Sequence, residues 1–455
     1  MKTLFSHVDI LIRNKEGYET LSDAFLATDG NKISYIGKDR PKGSFDIEKN
    51  LPKHLLIPGL VNAHGHPAMT ILRGVGSGKK LQEWLNESIF PIEARLVPHD
   101  DYVGTQLAIC EMLASGTTCF SNMYDFPYSS ALATAEAGIR SNICRTGLCF
   151  EDVEMKDCLR FKQTIEVADA LTNKFVINDE MRTELQVNSY PKIIEKAVKD
   201  GLILGDLSYH SEYLTTKKFV KGIADENKKY HFPIQLHLSE TKKETEECIA
   251  KYGVTPTKYF YDLGVFDDGL AYCAHCVYCN EDDLKIMAKT GTSLVTNPSS
   301  NMKLSSGFAP IRKALDLGVN VALGTDGCAS NNNLDMFEEM HLLALTQAGY
   351  YQNPGELSVS EIFDMATIGG AKAMQRKDIG KLEVGFKADI VAIDLSKPHL
   401  IPNLDTLSLL VYSAHGSDVK LTMVDGKILY ENGKFMTLDY DKIVKEFDQI
   451  VKRLY

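Results

Sequence analysis

The chain has 455 residues, 44% apolar and 24% charged, the proportions of an ordinary globular protein with room for a barrel-sized domain and a smaller second one. A net charge of −11 argues against a nucleic-acid binder, which presents clustered lysine and arginine to phosphates. No segment reaches membrane-spanning length and the first residues form no apolar export signal, so the expected setting is cytoplasmic, with no membrane partner.

Residues 1–57 read as short strands broken by the turns Asn14-Lys15-Glu16-Gly17 and Asp29-Gly30-Asn31. Short apolar runs then alternate with helical patterns. The runs cover 55–63, 117–123, 139–148, 202–209, 233–238, 270–274, 292–296 and 319–324, and the clearest helical patterns cover 101–114, 190–199, 216–228, 281–289 and 309–317. Strand–helix units repeated eight times predict an α/β fold, a parallel (β/α)8 TIM-type barrel over 58–384 with its chemistry at the strands' C-terminal ends. Past Gly385, runs at 388–393, 419–424 and 427–430 are again strand-like, with an Asp425-Gly426 turn between the last two. Together 1–57 and 385–455 predict one small β-sandwich domain built from both termini.

Each strand end contributes a side chain. The first run closes on His64-Gly65-His66, and residues at i and i+2 of a strand share a face, so both imidazoles can meet one ion. Alone, such a pair is more often two loop histidines. The fifth run ends in His237 with Glu240 three residues on, the sixth in His275 and the eighth in Asp326. Histidines and an aspartate so far apart in sequence converge on one rim only if the rim has a use for them. Neutral imidazoles and a carboxylate suit a divalent metal, a catalytic site leaves a position for water, and bound water then ionises near neutral pH. Glu240 is the natural proton shuttle, although an isolated glutamate there would more often be a solvated helix-start residue.

Ten cysteines without an export signal are no disulfide framework. Cys273, Cys276 and Cys279 have the spacing of an iron–sulfur run, but they interrupt an apolar strand and no proline follows, so buried reduced thiols are expected.

The same positions resemble the amidohydrolase superfamily over essentially the whole chain. Within it the 5′-methylthioadenosine/S-adenosylhomocysteine deaminases and related aminohydrolases and chlorohydrolases are the most similar. The stretches that carry the resemblance are PGLVNAHGHPAMTILRG (58–74), FPIEARL (90–96), HLSETKKE (237–244), AHC (274–276), NPSSNMKLSSGFAPI (297–311), LGTDGCASNNNLDMFEEM (323–340) and GKLEVGFKADIVAID (380–394). The resemblance implies one metal ion, zinc before iron or manganese, on His64, His66, His237 and Asp326. Asp326 would also take a proton from the attacking water, His275 would hydrogen-bond that water, and Glu240 would protonate the ring. No lysine follows the fourth strand to bridge two ions, and the cytidine-deaminase signature of H-x-E with P-C-x-x-C is absent. Glu93 matches the glutamate that reads ribose hydroxyls, and Arg145 and His210 match further substrate-binding positions. A second arginine of that kind falls between Lys156 and Arg160 without a firm position. The usual Pro-His-x-Pro-Tyr near the fourth strand is Ser208-Tyr209-His210-Ser211-Glu212-Tyr213, and the stretch 151–199 has an extra helical pattern.

The expected activity is hydrolytic deamination of an adenine nucleoside (5′-methylthioadenosine, S-adenosylhomocysteine or adenosine) by metal-bound hydroxide. A guanine or other heterocycle deaminase, a triazine hydrolase and a non-catalytic scaffold are the alternatives. The expected partner is a small molecule, with a homo-oligomer possible.

Overall fold

The computed structural model describes residues 1–15, 17–150 and 152–455; Glu16 of the first expected turn and Glu151 lie outside them. Among the described residues, the middle of the chain carries eight parallel strands, each followed by one or more helices. They are β1 Leu60–Asn62, β2 Thr117–Tyr124, β3 Arg140–Arg145, β4 in two pieces (Ile203–Gly205 and Leu207–Tyr209), β5 Ile234–Leu238, β6 Ala271–His275, β7 Ser293–Thr296 and β8 Val321–Leu323. β1 pairs through β2 and β3 to the first piece of β4, and the second piece pairs on through β5, β6 and β7 to β8. The break in β4 is a change of partner. The Asp206 N–H donates to the Ile143 carbonyl in β3 (2.9 Å), and the Leu207 N–H to the Pro233 carbonyl at the start of β5 (2.8 Å). Nearly all strand residues are buried, as parallel strands covered on both faces require.

The expected first strand, 55–63, is two strands. His54–Pro58 belongs to the outer sheet, with Ile57 opposite Val391, whereas Leu60–Asn62 is β1. Pro58 has no N–H to donate, and at Gly59 an added Cβ would lie 2.0 Å from the Thr118 hydroxyl. The chain changes sheets at the two residues that permit it.

Strands from both ends of the chain form one nine-stranded sheet. Its path runs Lys434–Phe435, Lys427–Glu431, Val419–Val424, Ile390–Asp394, His54–Pro58, Lys2–Asn14, Gly17–Asp29 and Lys32–Gly37, with Ile47–Asn50 added beside Lys2–Asn14. The pairing is thus one continuous path rather than the two separate sheets of the expected sandwich. Irregular register around Val8 lets the long strand bend, and apolar residues from both halves of the path, among them Phe5, Leu26, Ile390 and Met423, share one cluster. The last helix, Tyr440–Leu454, leaves that sheet. It packs Ile443, Ile450 and Leu454 into a cluster with Trp84 and Val103, beside helix Pro98–Ala114. No helix among the described residues is long and apolar enough to cross a membrane.

Candidate active site

The ends of β1 and β8 are laced together. Asn62 accepts from the Thr325 N–H (3.0 Å) and donates to the Thr325 hydroxyl (2.7 Å), and the Asp326 N–H donates to the His64 carbonyl (3.0 Å). This brings the Nε2 atoms of His64 and His66 to 3.5 and 3.3 Å from Asp326 Oδ1. From β5, His237 puts its Nε2 3.3 Å from that of His66. All four side chains are buried.

Backbone carbonyls fix which ring nitrogen carries the proton. The His66 Nδ1 lies 2.6 Å from the Met123 carbonyl and the His237 Nδ1 2.8 Å from the His210 carbonyl. A carbonyl only accepts, so each Nδ1 is the N–H and each Nε2 turns a lone pair inward. Burial pushes His64 down to about 4 and His237 well below the ordinary histidine range, keeping both neutral near pH 7. Burial alone would raise Asp326, but its contacts with His64 and His66 hold it well below the usual carboxylate range. Its Oδ2 accepts from the Ser300 and Ser330 hydroxyls (2.6 and 2.9 Å), its Oδ1 from the Gly327 N–H (2.8 Å). Inward lone pairs, an ionised carboxylate and a His64 Nε2 without a hydrogen-bond donor form a set that a cation completes.

His275 and Glu240 adjoin this set. The His275 Nδ1 meets Asn301 Oδ1 at 2.8 Å, and its Nε2 lies 3.8 Å from Glu240 Oε2 and 4.0 Å from Asp326 Oδ2. Glu240 stands just before the helix Lys242–Tyr252, which Thr241 caps, and is itself buried rather than solvated. Burial raises its carboxyl to about 7, opposed by His275 and by the Ser306 hydroxyl at 3.4 Å. His275 and Asp326 both hold left-handed backbone (φ 71° and 61°), a region sparsely used by residues other than glycine and a recurrent mark of functional strand ends.

These groups line one cavity with Glu93, His210 and an apolar wall that includes Trp84, Leu85, Phe90 and Leu148. Glu93 accepts from the Tyr124 hydroxyl (2.7 Å), and burial lifts its carboxyl to about 7. His210 faces the same space with its ring 4.5 Å from that of His237, and burial pushes it down to about 3. Arg145 does not line this cavity. It closes β3, but its guanidinium turns to Glu180 and to the Asp125 carbonyl (2.9 Å). In the stretch expected to hold a second arginine, Arg160 lies 3.6 Å from Asp125 Oδ1.

Sequence reasoning placed nothing at the end of β7, yet Ser300 and Asn301 on helix Pro298–Lys303 position Asp326 and His275. The polar run Asn297-Pro298-Ser299-Ser300-Asn301 directly after an apolar strand was the available signal. Tyr124 looked like strand filling. Cys273 and Cys276 are buried, and burial raises both thiols well above their ordinary range, as expected of reduced thiols.

A model of the amidohydrolase family matches residues 55–429. The chain belongs to that family. Over its full length it is 37% identical to a 5-methylthioadenosine/S-adenosylhomocysteine deaminase of Caldanaerobacter subterraneus subsp. tengcongensis, covering 99% of that protein. It is also 37% identical to a 5′-deoxyadenosine deaminase of Methanocaldococcus jannaschii, across 94% of this chain and 96% of the relative. A crystal structure of an adenosine deaminase from Xanthomonas campestris with bound zinc superposes with a TM-score of 0.86, at 29% identity, covering 99% of this chain and 98% of that one. The donor set of this amidohydrolase therefore lies on a scaffold that holds zinc in at least one similar protein.

Proposed function

We propose that this amidohydrolase is a metal-dependent hydrolytic deaminase of adenine nucleosides, converting 5′-methylthioadenosine, S-adenosylhomocysteine or adenosine to the inosine product and ammonia. One observation carries the reading: a single cavity joins a histidine–aspartate donor set, a buried carboxyl that titrates near neutrality, and a second carboxylate suited to a diol. The names of the relatives supply the nucleoside class.

His64, His66, His237 and Asp326 would hold the ion, zinc by analogy with the Xanthomonas protein, iron or manganese being open to the same three-nitrogen, one-oxygen set. When bound, it supplies the Lewis acidity that lowers the pKa of water toward neutrality. The chain's own groups do the rest. With Nδ1–H donating to Asn301, the His275 Nε2 accepts from the attacking water and aims it at the amino-bearing carbon. Asp326, ionised and steadied by two serine hydroxyls, takes a proton from that water. Glu240, poised between its two protonation states at neutral pH, delivers a proton to the ring nitrogen beside the attacked carbon, and the amino group departs as ammonia. Glu93 accepts from the two ribose hydroxyls, and His210 flanks the ring.

The scaffold for this chemistry is a closed (β/α)8 barrel over 58–384, with a small β domain made from 1–57 and 385–455. The hydrogen bond from the Ala63 N–H to the Leu323 carbonyl (3.0 Å), spanning β1 and β8, supports closure. Ammonia release over a panel of nucleosides, free purines and triazines, on protein of measured metal content, tests the assignment. Activity confined to triazines or guanine would overturn it.

A further inference from the structure

Two cations stand immediately behind the cavity wall, and both are already engaged. Arg145 is followed by Thr146, which lines the cavity, and one of its nitrogens donates to the carbonyl of Asp125, another lining residue. The same nitrogen pairs with Glu180 on helix Asp179–Leu185, and both side chains are nearly buried (12% and 10% exposed). That helix is anchored. Asn178 caps it by accepting from the Met181 N–H (2.8 Å) and donates to the Tyr128 hydroxyl (2.6 Å), and Glu184, one turn past Glu180, accepts from the Ser129 N–H (2.5 Å). Glu180 is thus a held partner rather than a loose surface charge. Burial, with Arg160 nearby, lowers Arg145 to about 10, so an unpaired guanidinium there is costly. Arg160 in turn is directed at the Asp125 carboxylate (3.6 Å). The described residues lining the cavity include Glu93, Asp125, Glu240 and Asp326 but no lysine or arginine.

We infer that Glu180 determines specificity: by occupying Arg145 from behind, it leaves the cavity without a cation, so the site favours adenine nucleosides with an uncharged 5′ group over those bearing a carboxylate. This rests on the nucleoside reading above. A carboxylate brought in past Glu93 and Asp125 would exchange water for two like charges and no positive partner, which is expensive in a largely desolvated site. A thioether, a hydroxyl or a bare methyl carries no such cost and finds Leu85, Phe90 and Leu148.

The test is equilibrium binding to the metal-loaded Glu240→Gln protein, which should hold ligands without turning them over. 5′-Methylthioadenosine is expected to bind about tenfold or more tightly than S-adenosylhomocysteine, the range of one charged hydrogen bond. The methyl ester of S-adenosylhomocysteine, larger still but without the carboxylate, should recover much of the difference. Adding Glu180→Gln should narrow the gap by freeing Arg145. Equal affinities for the three ligands would overturn the inference, as would a gap that survives Glu180→Gln in protein of unchanged melting temperature. Ammonia release by the wild-type protein is read separately. Nucleosides that bind with this preference yet release no ammonia would sink the deaminase reading and leave the charge preference standing.

Discussion

The carbonyl of His210 accepts twice from His237, once from its backbone N–H (3.0 Å) and once from its ring Nδ1 (2.8 Å). Backbone and ring are thereby fixed together, and Nε2 points its lone pair at that of His66 from 3.3 Å. Two such lone pairs beside an ionised Asp326 repel each other unless a cation lies among them. Removing metal with a chelator is therefore expected to lower the melting temperature by several degrees, and adding zinc should restore it in a concentration-dependent way. A melting temperature indifferent to both treatments would contradict the donor set.

Glu240 stands outside that set, with Oε2 3.8 Å from His275 and Ser306 as its hydroxyl neighbour. Glu240→Gln keeps size and hydrogen bonding while removing the titration. Metal content should stay at the wild-type level while kcat falls by roughly 10²–10⁴, the usual worth of a positioned proton donor. Metal analysis and steady-state kinetics on one preparation decide the matter, and retained turnover would reassign the shuttle.

The histidine pair was legible in the sequence because a period of two at a strand end is a geometric statement needing no tertiary knowledge. His237, His275 and Asp326 were legible for the same reason once the strands had been counted. Where reading failed, the deciding contacts were non-local or depended on backbone detail. Nothing in 55–63 announces two strands until Thr118 is seen against Gly59. Neither did any pattern connect Arg145 with Glu180, because the pairing depends on where a separate helix docks. The outer sheet was read as strands from both termini, but pairing order is set by partners hundreds of residues apart, so its continuous path escaped local reasoning.

Glu93 tests the substrate rather than the chemistry. Held by the Tyr124 hydroxyl at 2.7 Å, it presents a carboxylate with capacity for two further donors. Glu93→Ala should lower kcat/KM for nucleosides roughly tenfold to a hundredfold, the range for charged hydrogen bonds, and affect adenine itself far less. Because burial raises this carboxyl to about 7, it is ionised above that pH and loses acceptor capacity below it. The nucleoside KM should therefore climb as pH drops through about 7, and Glu93→Gln should flatten the climb. Equal losses on nucleoside and free base would remove the ribose assignment.

Arg140 joins the two sheets, and its loss should damage stability without touching the site. From the first residue of β3 it donates to both oxygens of Asp389 (2.6 and 3.0 Å) and to Asp425 (2.7 Å) in the outer sheet, with its side chain 2% exposed. Arg140→Met would strand Asp389 and Asp425 without their principal cation. Removing one partner of a buried pair costs roughly 3–5 kcal/mol, most of it the penalty of the abandoned charge. Burial pushes Asp425 up, but Arg140 pulls it below its ordinary value, so its share of the stabilisation is present above about pH 4 and fades as acid protonates it in the folded state. Denaturant unfolding should therefore show the largest deficit at neutral pH and a smaller one near pH 4, with metal content and KM of the folded fraction unchanged. A deficit that did not shrink in acid would mean that lost packing, rather than charge, is what Arg140 contributes.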